Sequence, residues 1–403
     1  MPADWYPLIS CDSHVHEPRA LYRDRLPSRL LDRAPRVVSD PNGDKIMMGD
    51  KLVRFIGLEA MEEYDTADRT YKGARFEVGR KGKFEAEARM HDLAVDGVEG
   101  EVVYGFSYWM DQNDREVLLE MIYAYNDWVH EFIEPTKDRS IAPAMLPTWD
   151  IDLAIAEAQR AVGDLGARAV QIAAPYVGEL KYGYREADFD RLWSAIVELG
   201  VPVTMHIGSG KPKGRFRGPG AVLCDFMATF NDSPNLLVEF IGAGVFLRHP
   251  ELKLAVTEGG IGWAPWLVMM MDRMWDDNGS MLDFKLPEPP SYYFKNNCLA
   301  TWQEDMPGIN SIDMIAEAVA WGSDYPHREG TFPHSRQKVE QQVANLDPVL
   351  VRRLTSGNAA KFFGFDVDLI VERYGPDSEH HRKYAAKDGG STTPDMVAPI
   401  TAA

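Results

Sequence analysis

Three cysteines in 403 residues, Cys11, Cys224 and Cys298, are too few and too widely spaced for a disulfide framework, and no Cys-x-x-Cys pair offers a zinc finger. Basic residues are also short: 43 lysines and arginines face 62 aspartates and glutamates, for a net charge of -19. That balance excludes phosphate-backbone recognition, which needs basic surface, so nucleic acid is not an expected partner. No segment is apolar enough to cross a bilayer without charges or Gly/Pro breaks, and residues 1–9 lack a basic region followed by a long apolar core. The expectation is a cytoplasmic protein in a reducing compartment, with no membrane association.

What remains is a globular composition, 45% hydrophobic and 26% charged, in a chain longer than one ordinary domain unless it forms an α/β barrel. Short apolar runs at 102–104, 141–146, 167–172, 201–206 and 252–257 read as strands. Helical spacing fills 84–93, 115–133, 150–162, 189–199 and 221–229, and 298–301 with 314–321 leave room for two more strands. The fold class expected is α/β, a (β/α)8 TIM barrel with a small N-terminal hairpin and loop insertion at about 35–90. Within it, 37–55 form the hairpin and 56–85 an excursion over the barrel mouth. The barrel domain would span 1–374, and the polar stretch 375–403, including His380 and His381, would be a disordered, solvated tail.

The stretch Cys11-Asp12-Ser13-His14-Val15-His16-Glu17 closes the first apolar run. In an extended strand residues two apart share a face, so Asp12, His14 and His16 point one way. Two converging imidazoles make half a metal site, or else a hydrogen-bonded pair of core histidines. Three more candidates fall at strand ends, where a barrel gathers side chains over one point: His206, Glu258 and Asp324. Each has a structural rival, a core histidine for His206 and a helix N-cap for Asp324, which precedes Tyr325-Pro326. His327 either moves a proton near the substrate or hydrogen-bonds within a helix start. His91, His130 and His249, away from strand ends, are read as structural.

On the substrate side, Lys211, Lys213, Arg215 and Arg217 form a basic cluster in an acidic chain, just after His206. Arg215 or Arg217 would grip a substrate carboxylate, the competing roles being a solvated face or an oligomer contact. Tyr104, Phe106, Tyr108, Trp109, Trp263, Trp266 and Trp302 follow strand ends and would either wall an aromatic-acid pocket or pack under the excursion. The Trp- and Met-rich stretch 263–275 suggests a homo-oligomer, with a hetero-oligomer of similar subunits as the variant.

The run CDSHVHEP, the strand ending TMHIG, and the later TEGGIGW, WGSDYPH and NAAKFFGF segments together resemble the amidohydrolase superfamily, over roughly residues 8–366. More narrowly, they resemble its amidohydrolase-related branch of decarboxylases. The resemblance implies that His14, His16, His206 and Asp324 hold one divalent metal, Zn, Mn or Fe, with water completing the shell. Where the decarboxylases end strand six in a histidine, this chain has Glu258, which would serve as general base or as another metal ligand. Strand four contains no lysine, so the lysine-bridged two-metal arrangement of other superfamily members is not expected. The resemblance implies a metal-dependent hydrolase or non-oxidative decarboxylase of a small, aromatic or unsaturated carboxylated compound, with Glu258 and His327 handling protons. Two alternatives stand beside it. One is an oxygenase with a di-iron or manganese-iron centre, using Glu258 with Glu17, Asp12 or His327 for a second metal. The other is a non-catalytic barrel subunit.

Overall fold

The structure, a computed structural model, describes residues 5–56, 75–76, 80–105, 114–210, 216–279, 281–282 and 286–385. Its strands, in chain order, are β1 (Ile9–His14), β2 (Pro35–Asp40), β3 (Gly43–Met48), β4 (Lys51–Phe55), β5 (Gly100–Tyr104), β6 (Ser140–Ile141), β7 (Ala144–Met145), β8 (Val170–Ile172), β9 (Val203–His206), β10 (Leu254–Thr257), β11 (Cys298–Trp302) and β12 (Val319–Trp321). Strands β2 to β4 pair antiparallel as a separate small sheet, so the expected hairpin carries a third strand. The others form two parallel sheets, ordered β1-β5-β6 and β12-β11-β10-β9-β8-β7. Every described residue of these parallel strands except His206 is buried, as expected for strands covered on both faces by crossover helices.

The edges of the two sheets meet. Asp324 N–H donates to the Asp12 carbonyl at 2.7 Å, and Ser13 bridges Tyr325 in parallel register. Gly322 permits this approach, since a Cβ there would lie 2.6 Å from that of Asp12. At the other junction β6 and β7 are consecutive pieces of the 141–146 run, separated by Ala142 and Pro143, where proline supplies no ladder donor.

Helices follow their sequence signals closely. Arg115–Ile133 buries Val117, Leu118, Met121, Ile122, Trp128 and Val129, and Asp114 caps its start by accepting from Val117 N–H. Asp150 caps Ile151–Asp164 the same way, from Asp152 and Leu153. Asp190–Leu199 buries Leu192, Trp193 and Ile196, and Trp193 packs against Phe189 and Phe240 with ring centres 5.5 and 5.2 Å apart. Burial of each such side chain contributes roughly 1.5–3 kcal/mol.

One expectation meets a different outcome. Residues 379–384 form a helix with Tyr384 buried, and His380 lies between the rings of Tyr374 and Tyr384 at 4.9 and 4.7 Å, so aromatic packing holds a segment whose polarity reads as solvated tail. Residues 386–403, and most of the excursion expected at 56–85, lie outside the described residues. Among the described residues, no helix is long and apolar enough to cross a membrane.

Candidate metal centre

The carboxyl ends of β1, β9, β10 and β12 bring together Asp12, His14, His206, Glu258 and Asp324, joined by His327. Two donor groups share His14: Asp12, His14, His206 and Glu258 form one, and His14, Asp324 and His327 the other, with ligand atoms inside each lying within 4.8 Å of one another. His14 Nε2 stands 3.2 Å from His206 Nε2, 3.1 Å from Asp324 Oδ1, and 3.6 Å from both Asp12 Oδ1 and Glu258 Oε2. Glu258 Oε2 lies 2.6 Å from His206 Nε2. His327 sets its ring edge-on to His14, centres 4.4 Å apart.

Each side chain is placed by local structure. The β1 ladder shifts register between Ser10 and Ser13. Ser10 Oγ accepts from Ser323 N–H at 2.9 Å, tying β1 to the turn that carries Asp324. Glu258 follows β10 in left-handed backbone, its N–H donating to Thr301 Oγ1 at 2.9 Å. After it Gly259 passes so close to Ser233 that a Cβ would sit 2.2 Å from the hydroxyl, and Asp305 Oδ2 accepts from both Ile261 and Gly262 N–H at 2.6 Å.

The regular strand stops at His14, and two residues on the His16 N–H bonds the Lys83 carbonyl. His16 is buried and, with Glu17, Tyr22 and Phe76, lines a small cavity under the β2–β4 sheet. Arg217 is exposed, while Arg215 and Trp109 lie outside the described residues. Trp302, expected near a pocket wall, is wholly buried in the main core, and Trp266 is exposed on an outer helix. His130 and His249 have structural partners, the Asn126 carbonyl and Asp190.

The electrostatics call for a cation. Three carboxylates crowd the cluster, and both oxygens of Asp12 and of Asp324 are buried without a well-formed hydrogen bond. Burial pushes Asp12 up to about 7 and raises Asp324 as well. Burial also works against charge on the histidines, yet Asp324 and Glu258 raise His14 to about 10, and Glu258 raises His206. Glu258, opposed by the same burial, is held well below the usual carboxylate range by His206 and His14, whereas burial lowers His327. Orphaned buried carboxylate oxygens beside imidazole nitrogens fit a divalent ion, which satisfies the oxygens and cancels their mutual repulsion.

Sequence reasoning missed the support beneath the centre. Arg89 is fully buried and bidentate to Glu101, Nε to Oε1 at 2.9 Å and Nη2 to Oε2 at 2.8 Å. Its Nη1 donates to the His14 carbonyl at 2.8 Å and its Nη2 to Ser13 Oγ at 3.1 Å. The signal was faint: Arg89, Asp92 and Asp96 recur at three- and four-residue spacing in Ala86–Asp96, a stripe that reads as a solvated face but is buried.

A parallel α/β fold with this cluster at its strand ends defines a metal-dependent enzyme. Residues 11–365 match the amidohydrolase family model, and the chain belongs to that family. It is 22% identical over 289 residues to 2-amino-3-carboxymuconate-6-semialdehyde decarboxylase of Dictyostelium discoideum, covering 70% of this chain and 77% of that one. It is 26% identical over 280 residues to gamma-resorcylate decarboxylase of a Rhizobium species, covering 63% and 79%. Among solved structures, an amidohydrolase of Mycobacterium avium subsp. paratuberculosis superposes with a TM-score of 0.71 at 21% identity, over 90% of this chain and 99% of that one. A manganese-bound 5-carboxyvanillate decarboxylase of Novosphingobium aromaticivorans gives 0.66 at 16% identity, over 90% and 99%. The two structural likenesses establish the fold.

Proposed function

We propose that this protein is a metal-dependent non-oxidative decarboxylase of a small aromatic or unsaturated carboxylic acid. The observation that carries the reading is the convergence of Asp12, His14, His206, Glu258 and Asp324, with the oxygens of both aspartates orphaned, at the ends of parallel strands. The two curated relatives, both decarboxylases by name, favour a carboxy-lyase over the hydrolase that the same scaffold also supports. The dioxygen-activating alternative finds no support among these relatives.

The two parallel sheets are taken as one closed (β/α)8 barrel, a reading supported by the Asp12 and Asp324 junction and by the continuity of β6 with β7. His14, His16, His206, Asp324 and Glu258 are assigned to the metal, with Asp12 added. When bound, the ion, Mn, Zn or Fe, supplies Lewis-acid polarisation of substrate oxygens. The bond between the ring carbon and the carboxylate breaks, carbon dioxide leaves, and a proton takes its place on carbon. His327 and Glu258 are the groups assigned to hold and deliver that proton. Arg215 and Arg217 are assigned to the substrate carboxylate and Trp109 to its ring. A cytoplasmic setting belongs to the same reading, supported by three free cysteines.

Elemental analysis of protein purified without chelators tests this, together with carbon dioxide release from a panel of hydroxybenzoates. Close to one Mn or Zn per chain, lost in His14→Ala, with release abolished in Glu258→Gln, is the expected outcome. Two iron ions, or iron with manganese, and one ion lost on removing Glu258, would overturn the decarboxylase and make oxygen activation the better account.

A further inference from the structure

Tyr325 follows Asp324 directly and is buried. Its main chain already serves the centre, since its carbonyl accepts from His14 N–H and its own N–H donates to Ser323 Oγ at 3.2 Å. The side chain is held at three places. The hydroxyl donates to Asp92 Oδ2 on the helix Ala86–Asp96, the Arg89 guanidinium lies 4.9 Å from the ring centre, and Phe332 meets the ring at 5.0 Å and 66°. Asp92 is fixed in turn: its Oδ2 accepts from Arg80 Nε at 3.0 Å and its Oδ1 from Arg80 Nη2, while the Arg80 guanidinium lies 4.4 Å from the Phe332 ring centre. Gly82 leaves room for this meeting, because a Cβ there would sit 2.2 Å from the Tyr325 hydroxyl and 2.6 Å from Asp92 Oδ2.

We propose that Tyr325 is a positioning residue for the metal centre: its hydroxyl, fastened by Asp92, fixes the turn that presents Asp324 and the strand end that presents His14. The inference rests on the metal-dependent reading of the centre. Three observations carry it. The bond joins residues 233 apart in the chain, so it ties the helix Ala86–Asp96 to the Asp324 turn and is no local cap. Both backbone groups of His14 belong to the same assembly, the N–H bonding the Tyr325 carbonyl and the carbonyl accepting from Arg89 Nη1 at 2.8 Å. The ring alone would fill the space between Arg89 and Phe332, so what the hydroxyl adds is one directional bond along the ring axis, which sets how far the turn stands from the helix. Ligands need placing within about 0.5 Å, and groups that orient them from outside typically account for 10–100-fold in metal affinity.

The full chain, stripped of metal with a chelator and titrated calorimetrically with Mn, tests this. Tyr325→Phe should weaken Mn binding about tenfold. Asp92→Asn should weaken it as well, and the double variant should bind no more weakly than the weaker of the two singles, because both break one link. Ile196→Val is the control, a wholly buried position on the helix Asp190–Leu199 outside this network, and it should lower the Tm of the metal-free form while leaving the Mn Kd unchanged. A wild-type Kd in Tyr325→Phe, losses that multiply in the double variant, or an equal loss in Ile196→Val would each overturn the proposal. A wild type that binds no Mn would overturn the metal centre itself, and this role with it.

Discussion

Glu258 and Asp324 share a left-handed backbone, with φ of 62° and 56°, that no other non-glycine residue adopts among those described. Both bring a carboxylate oxygen to His14 Nε2, at 3.6 and 3.1 Å. A side chain in this region costs of order 1–2 kcal/mol, less for aspartate, and such strain concentrates where geometry serves function.

Glycine and alanine at position 258 separate strain from chemistry, since both remove the carboxylate. At an ordinary position alanine is the more stable by about 0.4–1 kcal/mol, through the entropy of the unfolded chain. Here Glu258→Gly should exceed Glu258→Ala by about 1 kcal/mol in urea unfolding, with activity abolished in both. The usual order would show that the backbone at Glu258 is unstrained.

Stability should depend on metal. A ligand that binds only the folded state at 100 times its Kd adds about 2.7 kcal/mol, so a chelator should lower Tm by several degrees and Mn or Zn should restore it. Asp12→Asn removes one of the crowded carboxylates. The gap in Tm between chelated and loaded protein should shrink in that variant, chiefly because the chelated form gains. Calorimetry with and without chelator checks this, and an unchanged gap would remove Asp12 from the centre.

Arg89 anchors the strand that carries the histidine motif, through Glu101, Ser13 and the His14 carbonyl. Lysine offers a point charge in place of a planar fork, so Arg89→Lys should cost about 3–5 kcal/mol and reduce metal retention. Replacing both partners, Arg89→Met with Glu101→Leu, should recover part of that stability, because a paired apolar replacement leaves no buried charge alone. A double-variant loss equal to the sum of the Arg89→Met and Glu101→Leu losses would mean that the pair carries no coupling.

How much was legible follows from which interactions are local. The helices at 115–133 and 150–162 were readable because Asp114 and Asp150 cap them and their apolar faces repeat at helical spacing. His14, His206, Glu258 and Asp324 were readable because each ends an apolar run, and the fold gathers such ends. Arg89 with Glu101 and Asp96 with Ser335 were hidden because a charged side chain reveals its burial only when a distant partner is known. Trp302 misled for a related reason: strand-end position does not say which face a side chain takes.

Asp96 makes the last of these partnerships testable by pH. Its Oδ1 accepts from Ser335 N–H at 2.8 Å and its Oδ2 from the Ser335 hydroxyl, joining helix Ala86–Asp96 to helix Ser335–Val343. Burial pushes its pKa up to about 6, against about 3.9 in an unfolded chain. Between those values the folded state holds a proton that the unfolded state has released, so this group's contribution to stability is greatest below pH ~4 and declines until pH ~6. Asp96→Asn does not titrate. A fixed offset from altered hydrogen bonding is the same at every pH, and other groups titrate alike in both proteins, so the difference between them isolates Asp96. The stability of Asp96→Asn relative to wild type should therefore rise by about 2–3 kcal/mol from pH 4 to pH 6 and stay level above. Urea midpoints at four pH values measure it, and parallel curves would show that Asp96 is ionised in the folded protein throughout the range.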